Sequence, residues 1–209
     1  AFTVYLAVPT AEGPHPFFVH INFRSDVPDR YMPTEELIDN GFAVLSFGYE
    51  DVTRDDGDFT SGLAGALYEN GKRAPHDAGK IALWAWAAMR CMDYAEHDER
   101  LDCTKSIVCG HSRLGKTALL TAALDTRFAF GYSNDSGCAG AALFRGKKGE
   151  QLDDIYRQFP FWFCESFGQY VGKTDALPFD QHYLLESIAP RDVYVASAAG
   201  DDWADPASE

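Results

Sequence analysis

The sequence has no apolar run that approaches the roughly 20 residues of a membrane-spanning helix, although 46% of its residues are hydrophobic. It also lacks basic residues relative to acidic ones, and its formal net charge is −14. Clusters of Lys and Arg bind nucleic acids and anionic membranes, so this balance argues against both partners. The length of 209 residues suits one domain with a substantial core. We therefore expect a single globular domain, residues 1–209.

Cysteine motifs are missing as well. None of the five cysteines belongs to a C-x-x-C pair, so zinc-ribbon and thioredoxin-like sites lack their spacing. Five cysteines in a chain of this length do not make a disulfide scaffold. The first residues, AFTVYLAVP, alternate like a strand and do not have the charged start and apolar block of a signal peptide. Repeats and low-complexity tracts are absent too.

Segments typical of strands alternate with segments typical of helices. The alternation predicts a three-layer α/β/α sandwich with a mostly parallel sheet. Residues 53–73, rich in Gly and Asp, predict a long surface loop, and Pro75 suits the first turn of the long helix that follows. The predicted strands are FTVYLAV, PFFVHINF, FAVLSFGYE, KSIVCG, RFAFGYSND and RDVYVASAAGD, and the predicted helices are TEELIDN, the segment around Ile81 to Met92, and Leu114 to Leu124.

The stretch VCGHSRLGKTALL supports two incompatible hypotheses. Residues 110–117 fit G-x-x-x-x-G-K-T, a phosphate-binding loop in which Lys116 and Thr117 would contact phosphate and magnesium. The same stretch places Ser112 two residues after a glycine at the end of an apolar run, as in a hydrolase nucleophile elbow. A nucleotide hydrolase also needs an aspartate that closes a second apolar strand, and polar residues interrupt the run before Asp135. The elbow therefore explains more.

In an elbow, the nucleophile lies on a tight strand-to-helix turn, and the next backbone N–H, here that of Arg113, faces the developing oxyanion. Parallel sheets bind ligands at the carboxyl ends of their strands, where Ser112, Asp135 and Asp201 all fall. One departure stands out. A standard elbow has glycine two residues after the serine, but here Leu114 occupies that position and Gly115 follows it.

The segment GHSRLGK resembles the G-C/H-S-R-x-G-K signature of the glucuronoyl esterases, a carbohydrate esterase family with the α/β-hydrolase fold. The shifted glycine is part of that signature. The resemblance implies a serine esterase that cleaves 4-O-methyl-glucuronoyl esters between xylan and lignin alcohols through an acyl-enzyme, without metal or other cofactor. Five further blocks match in order, and with the signature they extend from about residue 73 to residue 206: SNDSGCAGAAL, GKKGE, FPFWFCESF, LPFDQHYLLESIAPRDVYV and DDWADP.

The resemblance assigns a role to individual residues. Ser112 becomes the nucleophile and Arg113 a stabiliser of the oxyanion. Either Asp135 or Asp201 orients the catalytic histidine, and we favour Asp201, because Asp135 is one methylene shorter than the Glu that some members have there. Four residues match positions that contact the sugar: Lys116, Glu150, Gln158 and Trp203.

The histidine itself is missing, because none follows Asp201 although the fold orders its triad as serine, acid, histidine. We therefore expect a fragment that lacks its C-terminal segment, is inactive alone and self-associates through an uncovered sheet edge. Plant-wall polymers lie outside cells, so the longer protein is expected to be secreted or periplasmic. Two alternatives stay open: another serine carbohydrate esterase, such as an acetyl xylan esterase, and an inactive uronate-binding relic.

Overall fold

The computed structural model describes all 209 residues and contains one six-stranded sheet. Its strands, in chain order, are β1 (Tyr5–Ala7), β2 (His15–Asn22), β3 (Ala43–Gly48), β4 (Leu101–His111), β5 (Phe130–Asn134) and β6 (Asp192–Ala196). They lie side by side in the order β1-β3-β2-β4-β5-β6. Only β1 is antiparallel to its neighbour, so the mostly parallel sheet is confirmed.

Seven helices accompany the sheet: α1 (Thr34–Asp39), α2 (Tyr49–Val52), α3 (Gly62–Leu67), α4 (Lys80–Ala95), α5 (Arg113–Leu124), α6 (Leu152–Gln158) and α7 (His182–Glu186). Short 3₁₀ turns occur at Glu69–Gly71, Pro160–Trp162, Glu165–Tyr170 and Thr174–Ala176. None of the helices combines the length and apolar composition needed to cross a membrane.

The helices cover both faces of the sheet because successive strand residues point to opposite sides. In β2, Phe17 and Val19 join the main core, where they share one apolar cluster with residues of α4 and α5. The intervening Phe18 faces the other way and packs against a second cluster of Met32, Val44 and Cys109, which Leu37 of α1 also contacts. The three-layer α/β/α arrangement follows from this alternation.

The segment that the sequence predicts as a long surface loop, residues 53–73, is only partly so. It contains α3 and a 3₁₀ turn, and its first residue, Thr53, is buried. The reason is a set of polar contacts with α4. The buried ammonium group of Lys80 donates to Thr53 Oγ1 (2.9 Å) and to the Asp58 carbonyl (2.6 Å), and the Trp84 indole donates to the Thr53 carbonyl (3.0 Å).

Several predicted strand and helix boundaries are wrong. The last predicted strand, residues 191–201, ends at Ala196, so Asp201 lies five residues beyond it, and the first, residues 2–8, is confined to Tyr5–Ala7. The long helix begins at Lys80, so Pro75 precedes it instead of forming its first turn. The third strand ends at Gly48, because the chain turns into α2 at Tyr49. That change of direction carries residues 49–55 across the carboxyl end of the sheet, towards the end of β4.

Candidate active site

Ser112 is the single residue between β4 and α5, and its backbone adopts φ 56° and ψ −123°. A positive φ is unfavourable for a residue with a side chain and persists only where the surroundings impose it. Here the Ser112 amide donates to the Asn134 carbonyl of β5 (2.8 Å), while the Ser112 carbonyl accepts from the Lys116 amide (3.1 Å). The predicted strand-to-helix turn is therefore present and carries the strain of a nucleophile elbow.

A cavity of about 250 Å³ opens beside this turn. All eight residues that the sequence analysis selected for the site line it, together with Ser136, Gly137, Phe159, Trp162 and Ala204. They come from the start of α5, the end of β5, the segment around α6 and the chain after β6. The structure thus brings together side chains that are as far apart in the chain as Ser112 and Trp203, while their individual roles stay predictions.

The two candidate acids are held in similar ways. Asp135 Oδ1 accepts the amide of Ala198 (2.6 Å) just beyond β6. Asp201 Oδ1 accepts the amides of Trp203 (3.1 Å) and Ala204 (3.0 Å) and so closes a tight turn. In both carboxylates Oδ2 has no hydrogen bond within the chain. Each acid therefore has one anchored oxygen and one oxygen free to orient a base.

Arg113, the first residue of α5, is held by a residue that the sequence analysis missed. Its guanidinium forms an ion pair with Asp55, whose carboxylate also accepts the Trp162 indole N–H (2.6 Å) and the Tyr49 hydroxyl (3.0 Å). Burial, and then the charge of Asp55, raise the pKa of Tyr49, so its hydroxyl remains a donor. Three neighbouring aspartates, at 55, 56 and 58, gave no sequence signal that would single out Asp55.

Lys116 and Glu150 form the charged part of the cavity wall, and both are buried. The Lys116 ammonium donates to the Ser136 carbonyl (2.5 Å). Burial lowers its pKa to about 8, although Glu150 opposes the shift. Burial likewise raises the pKa of Glu150, with Lys116 and Lys147 opposing. These two groups offer a donor and an acceptor in a poorly solvated place, where hydrogen bonds to a ligand are strong.

Aromatic rings complete the wall. Trp203 is 56% exposed, so a large part of its indole is free for a ligand. Phe159 and Trp162 stack face to face at 3.9 Å, and Gln158 precedes them at the end of α6. The stacked pair was missed as part of the site, although both residues lie in the matching block FPFWFCESF. Aromatic faces beside polar groups suit a sugar ring, which has both apolar and hydroxyl-bearing surfaces.

None of the six histidines lines this cavity. His111, which precedes Ser112, points into a separate cavity of about 220 Å³, where it contacts Asn134 (Nδ1 to Nδ2, 3.0 Å) and the edge of Phe23. The His111 ring therefore lines a cavity different from the one that Ser112 lines.

The phosphate-loop hypothesis is wrong. Gly110 belongs to β4 and Gly115 to α5, so no loop of free amides separates them. The Thr117 hydroxyl is fully buried and donates to the Arg113 carbonyl (2.9 Å), which makes it unavailable to a magnesium ion.

A larger cavity of about 490 Å³ shares Lys116 and Trp162 with the first one. Its lining is mostly apolar and includes neither of the candidate acids. The groups capable of acyl chemistry are therefore concentrated in the smaller cavity, beside Ser112.

A mostly parallel sheet with helices on both faces, and a strained serine between a strand and the next helix, define an α/β-hydrolase. The family model described as glucuronyl esterase, fungi, matches residues 1–209, and the chain belongs to that family.

Individual relatives agree with this assignment. A carbohydrate esterase from an unknown prokaryotic organism is 44% identical over 177 residues, which cover 84% of this chain and 41% of that protein. The 4-O-methyl-glucuronoyl methylesterase of Podospora anserina is 30% identical over 206 residues, covering 93% of this chain and 40% of the relative. The structure of a glucuronoyl esterase from Teredinibacter turnerae superposes with a TM-score of 0.91 at 31% identity, covering 99% of this chain and 55% of the other. The chain thus spans about two fifths of the length of the two curated relatives.

Proposed function

We propose that this chain carries the nucleophile and the sugar-binding wall of a serine esterase that cleaves 4-O-methyl-glucuronoyl esters between xylan and lignin alcohols. The observation that supports the proposal best is the single cavity in which Ser112, on its strained turn, meets Arg113, Lys116, Glu150 and Trp203. The proposal also draws on the family and on the Podospora anserina relative, which is named for action on 4-O-methyl-glucuronoyl esters.

In the proposed reaction, Ser112 Oγ attacks the ester carbonyl carbon of the uronate while a histidine accepts the serine proton. The carbonyl oxygen becomes an oxyanion, which the Arg113 guanidinium and backbone N–H stabilise. The C–O bond to the alcohol then breaks, and the alcohol leaves with the proton from the histidine. Water then attacks the acyl carbon while the histidine accepts a proton from it. The bond to Ser112 Oγ breaks, the serine regains the proton from the histidine, and the 4-O-methyl-glucuronoyl group is left on xylan with a free carboxyl group.

The wall of the cavity fits the neutral part of such a substrate. A uronate ester has no charge at its carboxyl group but has several hydroxyls, so recognition needs both donors and acceptors. Lys116 supplies a donor, Glu150 an acceptor and Gln158 both. Trp203 offers an exposed aromatic face for the ring.

Hydrolysis of methyl 4-O-methyl-glucuronate by the complete gene product tests the proposal. We expect turnover that is lost in Ser112→Ala, and a KM raised at least several-fold in Trp203→Ala. Acetylated xylan as the better substrate would identify the alternative acetyl esterase. Uronate binding without any turnover by the complete gene product would identify the inactive relic.

We further propose that Asp201 orients the histidine. Replacing the orienting acid of a serine triad by its amide lowers kcat by about 10⁴-fold, because the base loses its correct tautomer. Asp201→Asn is therefore expected to lose about 10³–10⁴-fold in kcat, and Asp135→Asn far less. The opposite ranking would give the role to Asp135.

The predicted self-association concerns the strand at the sheet edge. β6 pairs only with β5, and its Tyr194 is 56% exposed. An exposed edge with an apolar side chain is a template for pairing with another chain. We propose that the isolated 209-residue chain dimerises through β6, which sedimentation velocity tests. A monomer at about 50 μM, within the concentration range in which exposed edges associate, would rule this out.

A further inference from the structure

Asp55 is a buried carboxylate with an unusual set of partners. Its side chain is only 6% exposed and lies in the segment that follows α2. Oδ1 accepts the Trp162 indole N–H, and Oδ2 accepts both the Tyr49 hydroxyl and Arg113 Nη1. Arg113 is 58 residues away in the chain and Trp162 is 107 residues away. Asp55 thus joins three separate elements at one point.

Two of these three partners, Arg113 and Trp162, line the cavity beside Ser112. They also contact each other, because the Arg113 guanidinium carbon lies 4.8 Å from the centre of the Trp162 ring and 5.3 Å from that of Phe159. Asp55 does not line the cavity itself. It lies behind the wall and contacts the groups that form the wall.

The guanidinium keeps donors that are not used within the chain. Asp55 engages Nη1, whereas Arg113 Nε is buried and has no hydrogen-bond partner. A buried N–H without an acceptor is costly, so an acceptor that a bound ligand brings to Arg113 Nε would be stabilising. An oxyanion formed on the substrate would be such an acceptor.

The two neighbouring aspartates, Asp56 and Asp58, have side-chain partners only within their own segment. Asp56 pairs with Arg54 two residues away (3.2 Å), and its side chain is 39% exposed. Asp58 accepts hydrogen bonds from Thr60 and Ser61, also within its own turn. Only Asp55 among the three reaches the wall of the cavity.

We propose that Asp55 is a positioning residue for the esterase reaction: it fixes the Arg113 guanidinium against Trp162, so that the unpaired N–H of Arg113 stays available to the oxyanion. This inference rests on the proposed function. A flexible arginine would lose rotamer entropy in the transition state, whereas one already held in place needs no reorganisation when charge develops. Asp55 should therefore affect kcat through Arg113, and not through substrate binding.

The test compares Asp55→Asn with Asp56→Asn in the complete gene product, using a methyl glucuronate ester. Asn has the size of Asp but cannot form the ion pair. We expect kcat to fall about 10–100-fold in Asp55→Asn, the usual range for a residue that orients a site group, with KM within about threefold. Asp56→Asn should have the kcat and KM of the wild type, because the only ion-pair partner of Asp56, Arg54, lies at the surface.

The same substitution in an Arg113→Ala background separates positioning from general stabilisation. If Asp55 acts through Arg113, adding Asp55→Asn there lowers kcat by less than about twofold. A full 10–100-fold loss in that background, or an unchanged kcat in Asp55→Asn alone, would overturn the proposal. If the wild type hydrolyses no ester, the proposed function fails instead, and the two failures are distinguishable.

Tyr49→Phe covers the case in which Asp55→Asn does not fold. It removes one donor to Asp55 Oδ2 and keeps the ring, the charge and the ion pair. We expect a smaller fall in kcat, about two- to fivefold, that disappears in the Arg113→Ala background, as non-additive effects of coupled residues do. An equal fall with and without Arg113 would overturn the positioning role.

Discussion

Replacing Lys116 by methionine should change how the stability of the protein depends on pH. The methionine side chain is nearly as long as that of lysine, and Lys116 is 5% exposed, so the substitution roughly preserves packing. Burial lowers the pKa of Lys116 from 10.5 to about 8, because the charged form loses its hydration. The hydrogen bond to the Ser136 carbonyl and the charge of Glu150 reduce that cost without cancelling it.

The direction of the effect follows from proton binding. Between pH 8 and 10.5 the unfolded chain holds this proton more tightly than the folded protein, so the free energy of unfolding rises with pH. Below pH 8 burying the charged Lys116 lowers the free energy of unfolding by its full amount. Above pH 10.5 Lys116 is neutral in both states, so this destabilisation is absent. From these two pKa values, the wild type gains about 2.5 kcal/mol between pH 7 and pH 10 from this group alone.

Urea unfolding followed by tryptophan fluorescence, at pH 7, 8, 9 and 10, measures this gain. Other groups titrate in the same range, but they are common to both proteins and cancel in the difference. The free energy of unfolding of the wild type, minus that of Lys116→Met, should therefore rise by about 2.5 kcal/mol between pH 7 and pH 10. Lys148→Met, at an exposed position, is the control and should show a constant difference. If the difference in free energy of unfolding between the wild type and Lys116→Met also stays constant within about 0.5 kcal/mol from pH 7 to pH 10, the inference that Lys116 is buried in its charged form is refuted.

Three further substitutions test the elbow and the cavity wall. Gly110→Ala should lower the free energy of unfolding by at least about 2 kcal/mol in urea titrations, because the new Cβ would lie 2.3 Å from the Leu114 carbonyl oxygen. The control is Gly57→Ala, whose new Cβ would have no atom within 4 Å. It should change the free energy of unfolding by less than about 1 kcal/mol. Ser112→Gly should raise the thermal midpoint, since glycine tolerates φ 56° and relieves about 1 kcal/mol of strain; an unchanged midpoint would contradict that strain. Trp203→Ala should leave the midpoint within about 1 °C, because this side chain is mostly exposed, and a clear fall would mean that it supports the fold.

The local parts of the site could be predicted because their signals are local. A glycine and a serine at the end of an apolar run predict the turn at Ser112, and the structure shows it with the strained backbone of an elbow. The alternation of strand and helix patterns likewise predicts the sheet. The convergence of Glu150, Gln158 and Trp203 on Ser112 has no periodic signal, and only the resemblance to a family could anticipate it.

Asp55 shows what a local pattern does not contain. In the sequence it belongs to an acidic, glycine-containing segment that is typical of a solvated loop. Its burial depends on Arg113 and Trp162, which the fold brings to it from far along the chain. The same holds for Lys116, which taken singly has the pattern of an exposed helix lysine. Whether a charged residue is buried depends on partners that sequence spacing does not reveal.

The shifted glycine of the GHSRLGK segment has a geometric explanation that connects these observations. A Cβ on Gly115 would lie 3.1 Å from Ser133 Oγ and Ser136 Cβ, a tight contact, so the absence of a side chain here favours the close approach of α5 to the end of β5. Leu114, where a standard elbow has glycine, is instead fully buried in the core. The close approach brings the next residue, Lys116, within 2.5 Å of the Ser136 carbonyl, at the turn that also holds Asp135. The glycine at position 115 thus favours the close packing in which the nucleophile turn, the buried lysine and a candidate acid share one cavity.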